Sequence, residues 1–489
     1  MMLGADQDKG GAAAGPTAAR CRAMATALSC AALLAGLGAA APAAASAARG
    51  DGPAAVPGGQ LWASLYDGPA GTGGYAFAVA VSPDGATVFV TGNSFGGASG
   101  TDYDTVAYDA ATGAQRWASR YSGPASHVDY ANSVAVSPDG ATIYVTGTSR
   151  GTTSGDDYAT VAYDAATGAQ RWARRYNGPA NGDDRASQLA VSPGGATVFV
   201  TGLSRGASGF NYATLAYNAA TGARRWVRRA PANRDERGSS LAVSPAGATV
   251  FVAGTSRGAS NLDYATIAYN AATGARRWAS RYNAHGADTA SSVAVSPGGT
   301  TVFVTGTSRG TTSGDDYATV AYNAATGTRR WVSRYNGPKN ADDWAVSVAA
   351  GPGGRSVFVT GTSLGRAPGY DYATIAYNAV TGAPRWTRRY NNGGGDFAAS
   401  VKVSPGGTAV FVTGNSGSGS ESDPASDYAT VGYNAVTGAR LWASFYSGPA
   451  GQSHATGLAV SPDGSKVFVT GGTAGDTLPW EFATVAYQR

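Results

Sequence analysis

The sequence has little of what disulfide-linked, thiol-dependent or highly charged proteins use. Its 489 residues contain two cysteines and three histidines, and charged residues make up 14%. Both cysteines, Cys21 and Cys30, lie in the first 47 residues, so the rest of the chain has no disulfide and no thiol chemistry. The formal net charge of +5 is small for this length and argues against a nucleic-acid-binding protein. Stability must therefore come from packing.

The first 47 residues are typical of a secretory signal. Arg20 and Arg22 precede an apolar, alanine-rich stretch that ends in Ala45-Ser46-Ala47, an A-x-A-like cleavage site. Pro42 interrupts this stretch, which makes a permanent transmembrane span the less favoured alternative. We expect residues 1–47 to be a signal peptide and residues 48–59 a short linker. The mature chain is then secreted, extracellular or associated with the cell surface, and it has no transmembrane span.

Glycine and aromatic residues are abundant, with 71 glycines, 26 tyrosines and 10 tryptophans. Eight of the tryptophans recur at spacings of 52 to 56 residues, and they are Trp62, Trp117, Trp172, Trp226, Trp278, Trp331, Trp386 and Trp442. A period of this size indicates a solenoid, a propeller or another repeat array.

Each period contains four strand-like runs, named A to D here. In the second unit they are Ser133–Ser137, Thr142–Thr148, Tyr158–Tyr163 and Gln170–Tyr176. Turn-forming residues separate A from B and C from D, and no helical periodicity intervenes. Four short strands repeated eight times predict an all-β fold, an eight-bladed β-propeller of four-stranded antiparallel blades over residues 60–489.

The ends of the repeat predict how the ring closes. The first tryptophan strand, Gln60–Tyr66, has no A, B or C strand before it, and the last unit has no tryptophan strand after it. We expect the N-terminal strand to complete the last blade, because an open solenoid would expose both incomplete edges. Each repeated tryptophan is expected to dock structurally against the next blade.

Three repeat families resemble this unit. The segment Ala162–Trp172 resembles the tryptophan-docking repeat of PQQ-type quinoprotein propellers, and Ser137-Pro138-Asp139-Gly140 with the strand after it resembles the YVTN repeat of surface propellers. The whole unit is similar to the bacterial SBBP propeller repeat. These resemblances imply a propeller but no single function. Quinoprotein dehydrogenases carry a vicinal cysteine pair at the cofactor, so its absence implies the quinoprotein architecture without its redox chemistry.

Departures from the repeat are the candidate binding residues. The B–C loops vary in length, so we expect the face formed by the B–C and D–A loops to bind a partner. The candidates on this face are Arg150, Arg205, Arg257, Arg309, Trp344, Glu421, Asp423 and Trp480. The four arginines would form a basic arc for an anionic polymer, or else pair with neighbouring aspartates. The two tryptophans would contact sugars or a protein, or else pack within their loops.

Two acidic series also lie in these loops. One precedes strand C and consists of Asp102, Asp157, Asp263, Asp316, Asp371, Asp427 and Glu481, with Asn211 in the third unit. The other precedes strand A and consists of Asp129, Asp184, Glu236, Asp288, Asp343 and Asp396. These side chains could bind calcium or form an acidic rim, but a residue present in nearly every blade more often fixes its own loop.

No catalytic constellation is evident. The histidines His127, His285 and His454 lie about three units apart at different offsets, which argues against a shared metal site. We therefore expect no enzyme activity, no metal and no cofactor, and a monomeric scaffold that binds a protein or a cell-wall polysaccharide. The alternatives are an extracellular enzyme acting on carbohydrates or lactones with carboxylates at the channel mouth, and a quinoprotein-like binder of PQQ.

Overall fold

The computed structural model describes residues 56–69, 71–96, 100–125, 127–207, 209–230, 236–365, 369–417, 426–475 and 480–489. The predicted signal peptide lies outside these residues, as do most of the predicted linker and the candidates Glu421 and Asp423.

The described residues form 32 strands in eight sheets. Strands A are β2 (Gly74–Val81), β6 (Asp129–Val136), β10 (Asp184–Val191), β14 (Glu236–Val243), β18 (Asp288–Val295), β22 (Asp343–Ala350), β26 (Asp396–Val403) and β30 (Ser453–Val460). Strands B are β3 (Thr87–Phe95), β7 (Thr142–Arg150), β11 (Thr197–Gly206), β15 (Thr249–Arg257), β19 (Thr301–Arg309), β23 (Ser356–Leu364), β27 (Ala409–Gly417) and β31 (Lys466–Ala474). Strands C are β4 (Thr101–Asp109), β8 (Asp156–Asp164), β12 (Gly209–Asn218), β16 (Leu262–Asn270), β20 (Asp315–Asn323), β24 (Tyr370–Asn378), β28 (Ser426–Asn434) and β32 (Trp480–Gln488). Strands D are β5 (Gln115–Tyr121), β9 (Gln170–Tyr176), β13 (Arg224–Arg229), β17 (Arg276–Tyr282), β21 (Arg329–Tyr335), β25 (Pro384–Tyr390), β29 (Arg440–Tyr446) and β1 (Gln60–Tyr66).

Each sheet is one antiparallel blade in the order A-B-C-D, which confirms the predicted eight-bladed propeller. Blade 1 begins at β2, and blade 8 consists of β30, β31, β32 and the N-terminal β1. Strands A of neighbouring blades lie side by side and surround the axis, so strands D lie at the outside. The A strands start earlier than predicted, since β6 begins at Asp129 and not at Ser133.

Turn residues shape one end of each blade. In blade 2, the hydroxyl of Ser137 accepts the Thr142 amide at 2.9 Å, and Gly140 closes the A–B turn with a φ of 74°. In the C–D turn, a carboxylate oxygen of Asp164 accepts two turn amides at 3.0 Å each. These bonds satisfy polar groups within the turn and make each hairpin a local unit.

Bulges in the A strands turn side chains into the central channel. Every A strand slips register by one residue against strand B, as between Ala131 and Ser133. The extra residue there, Asn132, donates to the Ala186 carbonyl of the next blade at 2.8 Å. In blade 8, Thr456 likewise donates to the Ala76 carbonyl of blade 1 at 2.9 Å. Polar channel residues therefore join neighbouring blades.

The repeated tryptophans lie between neighbouring blades. Seven indole Nε1 groups donate to an alanine carbonyl in the C–D turn of the next blade at 2.9 to 3.2 Å. The indole also covers the glycine of that turn. At Gly168, an added Cβ would lie 2.7 Å from Cδ2 of Trp117. Glycine is required here both for its φ of 74° and for the indole above it.

Ring closure changes the eighth docking site. Blade 8 has no C–D turn, because its C and D strands come from opposite ends of the chain. Gly58 takes the place of the turn glycine. A Cβ added to Gly58 would lie 3.0 Å from the Cβ of Trp442. Reciprocal bonds of 2.8 Å join Gly58 to Gln488 and Gln488 to Gly59. The Trp442 Nε1 is buried without an acceptor among the described residues, since the turn carbonyl is missing.

Substitutions at two glycines of blade 2 distinguish the effect of backbone strain from that of tryptophan docking. Gly140 and Gly168 both have a φ of 74°, but a Cβ on Gly140 would meet nothing nearer than 3.5 Å. We expect Gly140→Ala to cost about 1–2 kcal/mol through its positive φ alone. Gly168→Ala should cost about 1–3 kcal/mol more, because it also displaces Trp117. Urea unfolding of the two variants measures the difference, and equal losses would contradict the docking account.

Candidate functional site

The two faces of the propeller differ in regularity. The A–B and C–D turns are five residues long in every complete hairpin, as in 137–141 and 165–169 of blade 2. They adjoin one another, and the Ala165 amide donates to the Ala141 carbonyl at 3.0 Å. The B–C loops on the other face range from two residues (207–208) to eight (418–425). We call these the turn face and the loop face.

An arginine near the end of strand D ties each of six blades together on the loop face. In blade 5, Arg334 donates to Asp316, the second residue of strand C, at 2.8 Å and to the Ser308 carbonyl of strand B at 2.8 Å. It also reaches the Tyr282 hydroxyl of the preceding blade at 3.2 Å. The equivalent residues are Arg120, Arg175, Arg229, Arg281 and Arg389. The structure places the aspartates that were predicted before strand C within that strand, as its second residue, and most of them are thus used within the scaffold.

The carboxylates that begin strand A accept amides of their own loops. Asp343 accepts the Gly337 amide at 2.6 Å, and Asp396 accepts the Asn392 amide at 2.9 Å. Burial raises the pKa of both side chains to about 6. The side chain of Glu236 lies outside the described part of the chain. These contacts agree with a structural role for the described members of this series.

The four candidate arginines lie at the ends of strands B in blades 2 to 5. The side-chain contacts of three of them are described. Arg150 and Arg309 each pair at 3.2 Å with an aspartate of strand C, Asp156 and Asp315 respectively. Their side chains remain 45% and 48% exposed. The Arg205 guanidinium lies 5.0 Å from the ring centre of Phe210. The basic arc is therefore partly neutralised.

The candidate Trp344 belongs to an aromatic cluster at the channel mouth. It is the second residue of strand A in blade 6, and its side chain is 6% exposed. Its ring centre lies 5.2 Å from that of Tyr370, which begins strand C of the same blade. Tyr370 in turn lies 5.5 Å from Phe397, the second residue of strand A in blade 7. The Trp344 Nε1 is buried and has no acceptor among the described residues.

The candidate Trp480 organises a second cluster at equivalent positions of blades 8 and 1. Its ring centre lies 4.8 Å from that of His454 and 5.6 Å from that of Tyr75. Tyr75 also contacts Phe77, which the strand bulge turns into the channel, at 5.2 Å. Burial lowers the pKa of His454 and so favours its neutral form.

We call these two clusters together the aromatic rim, which consists of Trp344, Tyr370, Phe397, His454, Trp480, Tyr75 and Phe77. Sequence reasoning found its two tryptophans but missed the other five residues. Two sequence positions carried the available signal. One is the second residue of strand A, and the other lies two residues before the tyrosine of strand C. Side chains at these two positions contact one another at the channel mouth. Aligning these two positions would have found every rim residue except Phe77, together with Tyr130 and Phe210 of blades 2 and 3.

Other candidate chemistry is not assembled in the described residues. His127, His285 and His454 lie beside blades 2, 5 and 8, and no group of three His, Cys, Asp or Glu side chains there is placed to hold a metal ion. No helix in the described part of the chain is long and apolar enough to cross a membrane.

One family model, described as "Outer membrane protein assembly factor BamB", matches residues 54–289 and, in an overlapping alignment, residues 106–351. The chain belongs to this family of PQQ-like propellers. The tryptophan-docking resemblance is thereby confirmed, whereas the SBBP and YVTN resemblances stay predictions. No curated protein matches the chain.

Several solved propellers have a similar fold at low identity. Sqt1 from Chaetomium thermophilum, bound to the N-terminus of ribosomal protein L10, has a TM-score of 0.59 and 14% identity over 87% of this chain and 98% of that one. The quinohemoprotein alcohol dehydrogenase ADHIIG from Pseudomonas putida HK5 has a TM-score of 0.54 and 15% identity over 88% and 76%. A europium-containing methanol dehydrogenase has a TM-score of 0.50 and 13% identity over 88% and 93%. These likenesses show the fold alone.

The raised pKa of Asp343 predicts a pH dependence with a defined sign. Because its folded pKa of about 6 lies above the ordinary value of 3.8, the folded state holds this proton more tightly. The wild type should therefore lose stability relative to Asp343→Asn as pH rises, by about 2 kcal/mol between pH 4 and pH 8.

Urea unfolding at several pH values measures this difference, and Asp164→Asn is the control. A hydrogen bond from Arg171 lowers the pKa of Asp164 to about 2. The free energy of unfolding of Asp164→Asn should therefore differ from that of wild type by a constant amount above about pH 5. A flat profile for Asp343→Asn would contradict the burial of a charged carboxylate at the start of β22.

Proposed function

We propose that this PQQ-like propeller is a secreted or surface-associated scaffold that binds a cell-wall polysaccharide on its loop face, without a cofactor and without turnover. The observation that carries the proposal is the aromatic rim. Its connected ring contacts lie in blades 6, 7, 8 and 1, whereas blades 3 and 5 carry Arg185 and Thr289 at the same position of strand A. Aromatic residues also stand at equivalent positions of blades 2 and 3, as Tyr130 and Phe210. Side chains that differ from blade to blade at these positions are not needed to build a repeat.

The position of the rim and its lack of charge suit it to binding sugars. Its rings lie around the channel mouth in two groups. Within each group, the centres of neighbouring rings are 4.8 to 5.6 Å apart. All the rings except that of Trp344 are partly exposed. No member carries a fixed charge. Flat aromatic side chains offer the faces of sugar rings a large contact area at little cost in side-chain entropy.

The neighbouring contacts favour a polysaccharide over a partner held chiefly by charge. Arg150 and Arg309 already pair with aspartates, so the basic arc contributes less than its sequence indicated. The indole Nε1 of Trp344 is buried beside the rim without an acceptor, and a small shift of this ring would offer it to a hydroxyl group. A protein that uses the same rim remains an outcome of the test below.

The enzyme alternative has less support in the described residues. The carboxylates of blade 5, Asp315 and Asp316, both form ion pairs, and Asp343 is fixed by a loop amide. A catalytic acid and base need freedom to exchange protons with a substrate. The likeness to quinoprotein dehydrogenases concerns the fold, and it adds no residue to this proposal.

Rim substitutions test this proposal. Trp480→Ala should weaken binding of a soluble cell-wall polysaccharide by about 2 kcal/mol, or roughly 30-fold, because it removes the ring that joins blades 8 and 1. Isothermal titration calorimetry measures the affinity, and a thermal melt confirms that the ring is intact.

Phe210→Ala provides a matched control, because Phe210 stands two residues before the tyrosine of strand C, as Trp480 stands two before Phe482. It lies in blade 3, outside the rim, so we expect its affinity to match wild type. Equal losses in both variants, or none in Trp480→Ala, would contradict the rim as the binding site.

A further inference from the structure

The turn face is basic across five consecutive blades. Every turn of this face lies within the described residues, so its charges can be compared blade by blade. Its five acidic residues all lie in blades 8, 1 and 2, two of them at the ends of strands C and three in the A–B turns. Blades 3 to 7 have none. They carry nine arginines in these turns and at the start of strand D, so the positive charge of this sector is uncompensated.

Two small changes in the repeat create this sector. Strand C ends with aspartate in blades 1 and 2, and in blade 2 Asp164 pairs with Arg171 at 2.7 Å. Blades 3 to 7 have asparagine at that position, as at Asn270. The arginine equivalent to Arg171 in blade 4, Arg277, donates to the Ala248 carbonyl at 3.3 Å and has no carboxylate partner in the described part of the chain.

The second change adds an exposed cation. Strand D begins with glutamine in blades 8, 1 and 2 but with Arg224, Arg276, Arg329 and Arg440 in blades 3, 4, 5 and 7. These four side chains are exposed and make no hydrogen bond or ion pair with the described residues.

Aliphatic side chains project from the same sector. The C–D turns of blades 6 and 7 replace an alanine of the repeat by Val380 and Val436, which are 70% and 74% exposed. Leu441, 50% exposed, follows Arg440 at the start of strand D. Aliphatic groups held this far into solvent, among arginines, mark an interaction surface better than isolated exposure does.

We propose that the turn face docks on an anionic lipid bilayer. The equal length of its turns gives a regular surface, which suits a planar partner. Arginines attract anionic head groups, and exposed aliphatic side chains enter the boundary between head groups and acyl chains. Since the loop face lies at the other end of every strand, a docked propeller presents its aromatic rim away from the membrane. This inference does not depend on what the rim binds.

A soluble polyanion is the competing occupant, and it fits the observations less well. It would account for the arginines, but it gains nothing from Val380 and Val436. A bilayer uses both features at once.

Co-sedimentation with phosphatidylcholine vesicles, with and without phosphatidylglycerol, tests the proposal. We expect binding only with phosphatidylglycerol, and weaker binding at high salt. Arg276→Gln, Arg329→Gln and Arg440→Gln together should lower the partition coefficient about 100-fold. Val380→Ala with Val436→Ala should lower it about tenfold. All five substitutions restore residues found elsewhere in the repeat, so the fold should persist, as a thermal melt verifies.

The charge-matched control is Arg150→Gln, Arg309→Gln and Lys339→Gln, which removes three positive charges from the loop face. Its partition coefficient should stay within about twofold of wild type, since these residues lie at the far end of the strands. Equal losses in both triple variants would overturn the proposal.

Two other results would also overturn it. One is wild-type protein that does not bind phosphatidylglycerol vesicles at low salt. The other is binding to vesicles and to soluble dextran sulfate that depends on the arginines but not on the two valines, which would indicate a polyanion site.

Discussion

The indole of each repeated tryptophan, seated over a glycine of the next blade, is the contact on which the ring depends. It contributes a large apolar contact and, in seven of eight cases, a hydrogen bond to a turn carbonyl. It requires a glycine and a turn of constant length, so the turn face cannot vary much. Gly58 meets the same requirement under Trp442 where the two ends of the chain close the ring.

This constraint separates scaffold from function. On the turn face, the backbone is fixed and only exposed side chains can differ, so a specialised surface arises there through charge, as at Arg276 and Asn270. On the loop face, lengths differ and side chains at the channel mouth can be replaced without disturbing the docked tryptophans. The aromatic rim and the basic sector therefore lie on opposite faces of the ring and share only blades 6 and 7, and each consists of departures from the repeat.

The architecture was predictable from sequence because its determinants recur. The tryptophan period, the turn residues and the incomplete terminal units together predict eight blades and the closing strand β1. The rim was only half predictable, since Trp344 meets Tyr370 and Phe397 through strand register and blade contact, which spacing does not reveal. The basic sector was missed because a net charge of +5 averages two unlike faces.

The central claim is that departures from one repeat give the two faces different partners. Hydrogen–deuterium exchange, measured on the free protein, with phosphatidylglycerol vesicles and with cell-wall polysaccharide, tests it most directly. The account predicts that vesicles slow exchange in the turns of blades 3 to 7, and that polysaccharide slows it around the rim in blades 6, 7, 8 and 1. Protection of the same face by both ligands, or uniform protection around the ring, would contradict it.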